Sequence, residues 1–279
     1  MIRVESGDRD ALIAFMSANA PFLMFPLTNM IRYGLDGKHP RAMKAWVAKD
    51  GAEITDVLTI SAEGIVFPWC PSGDWAAVAD VLKGRQIKGF IGEKDQVTAL
   101  RRVTGLTRQA ALDVIEPSFA LMIADLMMPN IHGFTLHPLT AAPFDLLVHW
   151  RANYQVETLA TPVDQAQSRA AREIKAYIQA NSHRVLVHDG TPVAMTGFNA
   201  QMPDIVQIGG VYTPPEWRSR GFARVALAMH LMETSLDGVT KAVLSAANDA
   251  AARAYAALGF ERTGSFAVAL YEETQVAHG

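Results

Sequence analysis

The chain has 279 residues and a single cysteine, Cys70, so no intrachain disulfide can form. That usage fits a reducing compartment. A strong charge of either sign is also missing. Twenty-five Lys and Arg stand against 28 Asp and Glu, a formal net charge of −3, which excludes the clustered basic footprint of a nucleic-acid-binding domain. The longest apolar run, 119–129, carries Asp125 and is too short to span a bilayer. The opening Met1-Ile2-Arg3-Val4-Glu5 meets acidic residues where a signal peptide needs an apolar stretch. A cytoplasmic protein that engages neither membrane nor nucleic acid is therefore expected. No G-x-x-x-x-G-K-[ST] phosphate loop and no G-x-G-x-x-G fingerprint occurs. None of the eight histidines has metal-ligand spacing with another ligand type, so no metal is expected. His183 and His188, at the two ends of one predicted strand, are expected on the surface.

What is present is ample core material, since half of the residues are hydrophobic. The length suits one large domain or two of about 140 residues. A strand–turn–strand signal occurs twice. Residues 45–49 and 52–60 flank Asp50-Gly51, and 184–188 and 191–198 flank Asp189-Gly190. Asp-Gly between strand-like runs marks a hairpin, because glycine tolerates positive φ. A second landmark follows each time: a helical stretch closed by glycine and an apolar residue, at 95–106 and at 249–260. Two landmarks repeated in order suggest an internal duplication whose second copy is about 15 residues longer between them. The boundary is expected near 129–143, giving copies at 1–130 and 134–279. Helices are predicted over 8–19, 74–83, 95–104, 142–152, 163–180, 222–236 and 249–257. Strands are predicted over 43–49, 54–60, 86–91, 119–127, 184–188, 192–199, 205–212, 241–246 and 266–272. Such alternation reads as α+β or α/β, with mixed sheets covered by helices.

The extra residues hold the most specific stretch. The strand Ile205 to Tyr212 runs into Thr213-Pro214-Pro215-Glu216-Trp217-Arg218-Ser219-Arg220-Gly221-Phe222-Ala223. A helix should follow, with Phe222, Val225, Met229, Met232 and Leu236 at helical spacing. A helix N-terminus offers unpaired N–H groups and partial positive charge, and a glycine before it allows close backbone approach. With two arginines beside it, this is a ready phosphate or diphosphate site.

These residues resemble a known family. Arg218-x-x-Gly221-x-Ala223 matches the [RQ]-x-x-G-x-[GA] signature of the GNAT superfamily of N-acetyltransferases. Downstream, Asn248-x-x-Ala251-x-x-x-Tyr255-x-x-Leu258-Gly259-Phe260 looks like the second motif of that family. The resemblance is firm over about 165–272 and loose over 1–130. It implies two GNAT-like domains, each a mixed, mostly antiparallel sheet flanked by helices, of which the second is catalytic and binds acetyl-CoA. The loop of Arg218, Ser219, Arg220, Gly221, Phe222 and Ala223 would bind the cofactor: backbone N–H groups from Arg220 to Ala223 would hold the diphosphate of acetyl-CoA, with Arg218 and Arg220 adding charge at its edge. Val211 and Tyr212 would line the pantetheine arm, and the Val211 N–H would polarise the thioester carbonyl. Tyr255 falls where the family often places a general acid. A tyrosine near pKa 10 giving its proton to a thiolate near 8.5 works uphill by about 2 kcal/mol, so a hydrogen bond with late proton movement fits better. A packing tyrosine is the plainer alternative. Asn248 would contact pantetheine or cap a helix, and both can hold at once.

No general base stands out. Glu157, in the helical region that forms the acceptor wall in the family, and Glu216, in the loop, are the candidates; a solvated surface carboxylate is the plainer reading of each. The first copy lacks the basic glycine loop and has Cys70-Pro71-Ser72-Gly73-Asp74 instead. Ser72 or Asp74 reads there as a helix cap, an acidic residue disfavours a diphosphate, and Cys70 reads as a small buried side chain. This half is taken as a degenerate copy supporting the second. The resulting expectation is direct acetyl transfer from acetyl-CoA to a primary amine of a small molecule or peptide. A homodimer is compatible with the family, and a non-catalytic acyl-CoA sensor or interaction module is the alternative.

Overall fold

The computed structural model describes residues 1–278. They form two compact units, 1–116 with 264–279, and 117–263. Each unit is built on the same plan.

The first unit opens with a short strand, β1 (Ile2–Arg3), and two helices, α1 (Arg9–Ala18) and α2 (Ala20–Tyr33). Then come the hairpin β2 (Met43–Asp50) and β3 (Glu53–Ser61), β4 (Ile65–Trp69), α3 (Trp75–Leu82), β5 (Gln86–Glu93) and α4 (Lys94–Thr104). β2, β3 and β4 are antiparallel neighbours, and β4 lies parallel to β5 across α3. The antiparallel strand beyond β5 comes from the far end of the chain: in β12 (Glu261–Val276), Phe266 to Leu270 pair with Glu93 to Gly89. Ala267, Ala269 and Tyr271 of this strand share a core with Trp46, Leu58, Phe90 and Leu100.

The second unit repeats the order. Strand β6 (Leu112–Met122) crosses into it, followed by β7 (Phe134–Pro138), helices α5 (Phe144–Leu159) and α6 (Val163–Ala180), and the hairpin β8 (His183–His188) and β9 (Thr191–Gln201). Then come β10 (Ile205–Ile208), α7 (Phe222–Ser235), β11 (Lys241–Ser245) and α8 (Asp249–Ala256). β8, β9 and β10 are antiparallel, β10 runs parallel to β11 across α7, and Ser118 to Met122 of β6 pair antiparallel with Ser245 to Lys241. One sheet face packs Val206, Ile208 and Leu244 on Leu227, Ala228 and Leu231 of α7. The other packs Val185, Met195 and Tyr212 on Leu147, Trp150 and Ile174 of α5 and α6.

Several expectations need correction. The division lies at 116/117 and 263/264, not within 129–143. The terminal strand completes the first sheet while 118–122 fill the matching place in the second, so a cut in a Pro-rich stretch misses the exchange. Helix α2 was overlooked because its sequence is apolar nearly all round and holds Pro26, which hides the helical period. Strand β4 was overlooked because Pro68 interrupts it, and β7 because it lies in the supposed linker. In α7 the predicted stripe holds at its start, where Phe222 and Val225 are buried, and drifts off the core further on: Met232 and Leu236 are exposed, whereas Leu227, Ala228 and Leu231 are fully buried. Alanines are what let this helix sit close to the sheet. No helix among the described residues is long and apolar enough to cross a membrane.

Candidate active site

Strand β10 carries the site. Its pairing with β11 ends at Gln207–Val243, although β11 continues to Ser245 beside β6. Its pairing with β9 goes on: the Gly209 N–H donates to the Gly197 carbonyl at 2.9 Å, and Tyr212 exchanges two hydrogen bonds with Met195 at 2.9 and 2.8 Å. The parallel strands therefore part beyond Gln207. Since both backbone groups of Tyr212 face β9, those of Val211 face the parted edge.

The chain then turns through Pro215–Trp217, a short 3-10 helix. The N–H groups of Trp217 and Arg218 donate to the carbonyls of Pro214 and Pro215, and those of Arg224 and Val225 to the carbonyl of Gly221. Among the described residues no backbone or side-chain acceptor takes the N–H of Ser219, Arg220, Gly221, Phe222 or Ala223. Five consecutive donors thus gather at the start of a 14-residue helix. Ser219 and Gly221 adopt φ of +64° and +81°, and alternating the hand of the backbone curls such a run into an anion-binding nest. Helix polarity adds to it. Phe222 is buried below, against Val225, Ala226, Leu186 and Val193, and anchors the helix start.

The first unit offers an internal contrast at the matching place. There the Cys70 N–H donates to Gln96 Oε1 at 2.6 Å and the Ser72 N–H to Asp56 Oδ1 at 2.9 Å. The Gly73 N–H reaches the Cys70 carbonyl, that of Asp74 the Ser72 hydroxyl, and that of Ala77 the carboxylate of Asp74, the helix cap. Asp56 is itself buried. The chain's own acceptors, the carboxylates of Asp56 and Asp74 among them, take these donors, so this copy presents no comparable free run to a diphosphate. Burial, with Asp56 nearby, pushes the Cys70 thiol up to about 12, where it is inert.

The side chains of the second unit fall into two groups. Arg218 is folded back from the nest: Nε donates to the Thr213 carbonyl at 3.0 Å and Nη2 to Glu157 of α5 at 2.7 Å. Tyr212 is buried beneath, and burial, reinforced by Glu157, holds its phenol above the ordinary value and therefore neutral. Arg220 instead lies over the Trp217 ring, 4.9 Å from its centroid. Glu157 is thus paired with an arginine, while Glu216 stands exposed on the loop. Asn248 caps α8, its Oδ1 accepting from the Ala251 N–H at 2.9 Å. Tyr255 sits half-buried on α8 with its ring 6.0 Å from that of Phe260, against the core below α7.

Three polar residues near β10 escaped the sequence reading. His183, expected on the surface, is fully buried, stacked on Tyr177 at 3.7 Å and bonded through Nδ1 to the Ser182 hydroxyl. Burial, then Arg151, His230 and Arg184, hold it well below the ordinary histidine value, so it is neutral. His188 is half-covered, stacked on Phe134 at 4.4 Å. Arg151, buried on α5, pairs with Glu173 of α6 at 2.6 Å, and Gln155 and Arg169 bond the same carboxylate. Asn199 lies against Gly209, where a Cβ would meet its amide at 2.0 Å. Glycines inside strands are the signal that could have pointed to these residues: Gly197 and Gly209 mark where the side chains of His183 and Asn199 lie flat on the sheet.

Residues 147–260 match the acetyltransferase (GNAT) family. No curated protein matches the chain. Among solved structures, a GCN5-related N-acetyltransferase from Sphaerobacter thermophilus is 15% identical, with 96% of this chain and 93% of that one covered at a TM-score of 0.59. A GNAT-family acetyltransferase from Colwellia psychrerythraea is 11% identical, with 97% and 98% covered at 0.55. A tandem GNAT protein from the clavulanic acid biosynthesis pathway is 15% identical, with 96% and 97% covered at 0.57. At these identities the likeness is one of fold, and it extends over both units.

Proposed function

We propose, from the match of residues 147–260 to the acetyltransferase (GNAT) family, that the second unit binds acetyl-CoA and catalyses transfer of its acetyl group to a primary amine. The observation that carries this reading is the run of five unpaired N–H groups from Ser219 to Ala223 beside the parted edge of β10. An anionic group fits there without displacing any protein acceptor, and the matching place in the first unit is filled by Asp56 and Asp74.

When bound, acetyl-CoA supplies an acetyl group activated as a thioester. The nest holds the diphosphate, with the Arg220 guanidinium at its rim. The free edge at Val211 faces the pantetheine arm, with Tyr212 fixed to β9 beside it, and the Val211 N–H donates to the thioester carbonyl as negative charge grows on it. The amine attacks as its free base, because an ammonium has no lone pair. The C–N bond forms and the C–S bond breaks, the proton lost from the attacking nitrogen ends on the departing thiolate, directly or through water, and Tyr255 hydrogen-bonds that sulfur. No side chain forms a bond to the acetyl group, since no nucleophile with a partnered base is present at the loop.

The test is thiol release from acetyl-CoA in the presence of a panel of amino acids, polyamines, aminoglycosides and peptides. Amine-dependent release, lost on Gly221→Val, supports the proposal. Tight binding without release by any amine would instead favour a non-catalytic acyl-CoA sensor.

A further inference from the structure

Arg218 heads the signature of the loop, yet its Nε and Nη2 donate on the other side of it. Its own N–H bonds the Pro215 carbonyl, Nε bonds the Thr213 carbonyl and Nη2 bonds Glu157. Its guanidinium also lies 5.6 Å from the centroid of the Tyr212 ring. Extended backbone at Arg218, with φ −65° and ψ 160°, precedes the reversal at Ser219, where φ is +64°. Arg218 thus belongs to the strand exit, and the five free donors begin only after it. With Nε and Nη2 turned to a carbonyl and a carboxylate on one side, the bidentate Nε–Nη2 face that best grips an anion is already taken. Arg220 makes no ion pair among the described residues and is exposed within the run of free N–H groups.

Glu157 lies in the last turn of α5, which ends at Leu159. The pair therefore ties the C-terminal end of α5 to the exit of β10, with Tyr212 enclosed beneath it. It also neutralises both charges, so this stretch of the wall presents no net charge to an approaching amine.

We propose that Arg218 is a positioning residue of the acceptor side, tying α5 to the strand exit through Glu157, and that Arg220 is the cationic side chain of the diphosphate site. This rests on the acetyl-CoA site proposed above.

The test compares Arg218→Gln, Glu157→Gln and Arg220→Gln, each checked for an unchanged unfolding midpoint, by calorimetric titration with acetyl-CoA. Thiol-release kinetics then use the best amine of the panel. Arg220→Gln should weaken acetyl-CoA binding about tenfold, whereas Arg218→Gln and Glu157→Gln should change it less than about threefold. The latter two should each raise KM for the amine about fivefold or more, and the double variant should be no worse than either alone. A tenfold loss of acetyl-CoA binding in Arg218→Gln, or tighter binding in Glu157→Gln, would overturn the proposal by showing that Arg218 serves the diphosphate. Unchanged amine KM in both variants would overturn it too. If Arg218→Gln does not fold, Glu157→Gln decides alone. If no amine is turned over, the titrations decide. Failure of the wild-type protein to bind acetyl-CoA removes the site itself and the proposal with it.

Discussion

A folded chain rarely leaves several neighbouring N–H groups without acceptors, because each costs free energy if water or a ligand does not take it. The run from Ser219 to Ala223 is such a case, and Gly221 holds it open. At φ +81° a β-branched side chain is strained by about 1–2 kcal/mol. Gly221→Val should therefore cost about that much stability and weaken acetyl-CoA binding at least about tenfold, as measured by denaturation and by calorimetry. The loop was legible because chemistry and backbone coincide there: Pro, Arg and Gly in fixed order before a helix. His183, Arg151 and Asn199 were not, because burial of a polar side chain depends on what another strand or helix brings over it. His230 shows the consequence for acid stability. It is stacked on Phe198 at 4.0 Å, and burial, with Arg184 nearby, lowers it to about 3. The unfolded chain takes up this proton below about pH 6.5 and the folded chain does not. Stability is thus full above that pH and falls as pH drops towards the folded value, by up to about 1.4 kcal/mol per unit. His230→Gln should flatten the fall in urea midpoint between about pH 6.5 and 4; an unchanged slope would assign the acid sensitivity to other groups.

Helices α5 and α6 meet through a carboxylate shared by three partners. Arg151, Gln155 and Arg169 all bond Glu173. Burial pushes this carboxyl up, but Arg151, helped by its neighbours, outweighs burial and the net shift is down. Removing one partner of a buried pair strands the other. Glu173→Ala should therefore destabilise the second unit by about 3 kcal/mol, read from denaturant midpoints, and more than Arg169→Ala, whose side chain is half exposed. A loss below about 1 kcal/mol would mean that Arg151 finds water or another partner. Elements with a clean period, such as α6 with its buried Ala166, Ala170 and Ile174, were readable from sequence. Helix α2 and strand β4 were not, since proline and unbroken apolar sequence erase the pattern that distinguishes helix from strand.

The duplication was legible from two pairs of turn signals, but the exchange of terminal strands was not. Nothing local in Phe266 to Leu270 says that these residues pair with β5 rather than with a strand nearer in sequence. One consequence concerns where the chain can be cut. A fragment 134–279 lacks the strand that borders β11 and ends in a strand whose partner is missing, so it should aggregate. A fragment 117–263 keeps the complete second unit and should fold with two-state unfolding. Comparing the two by gel filtration and circular dichroism checks this, and equal behaviour would speak against the exchange.

The central claim is that the second unit holds acetyl-CoA through the Ser219–Ala223 nest, and thermal unfolding of the wild-type chain with and without acetyl-CoA tests it most directly. At about 100 times its Kd the ligand should add about 2.7 kcal/mol, a rise of several degrees in the transition of the unit that binds it. NADH and ATP should not reproduce the rise, and Gly221→Val should abolish it. A folded protein with no shift in acetyl-CoA would contradict the account.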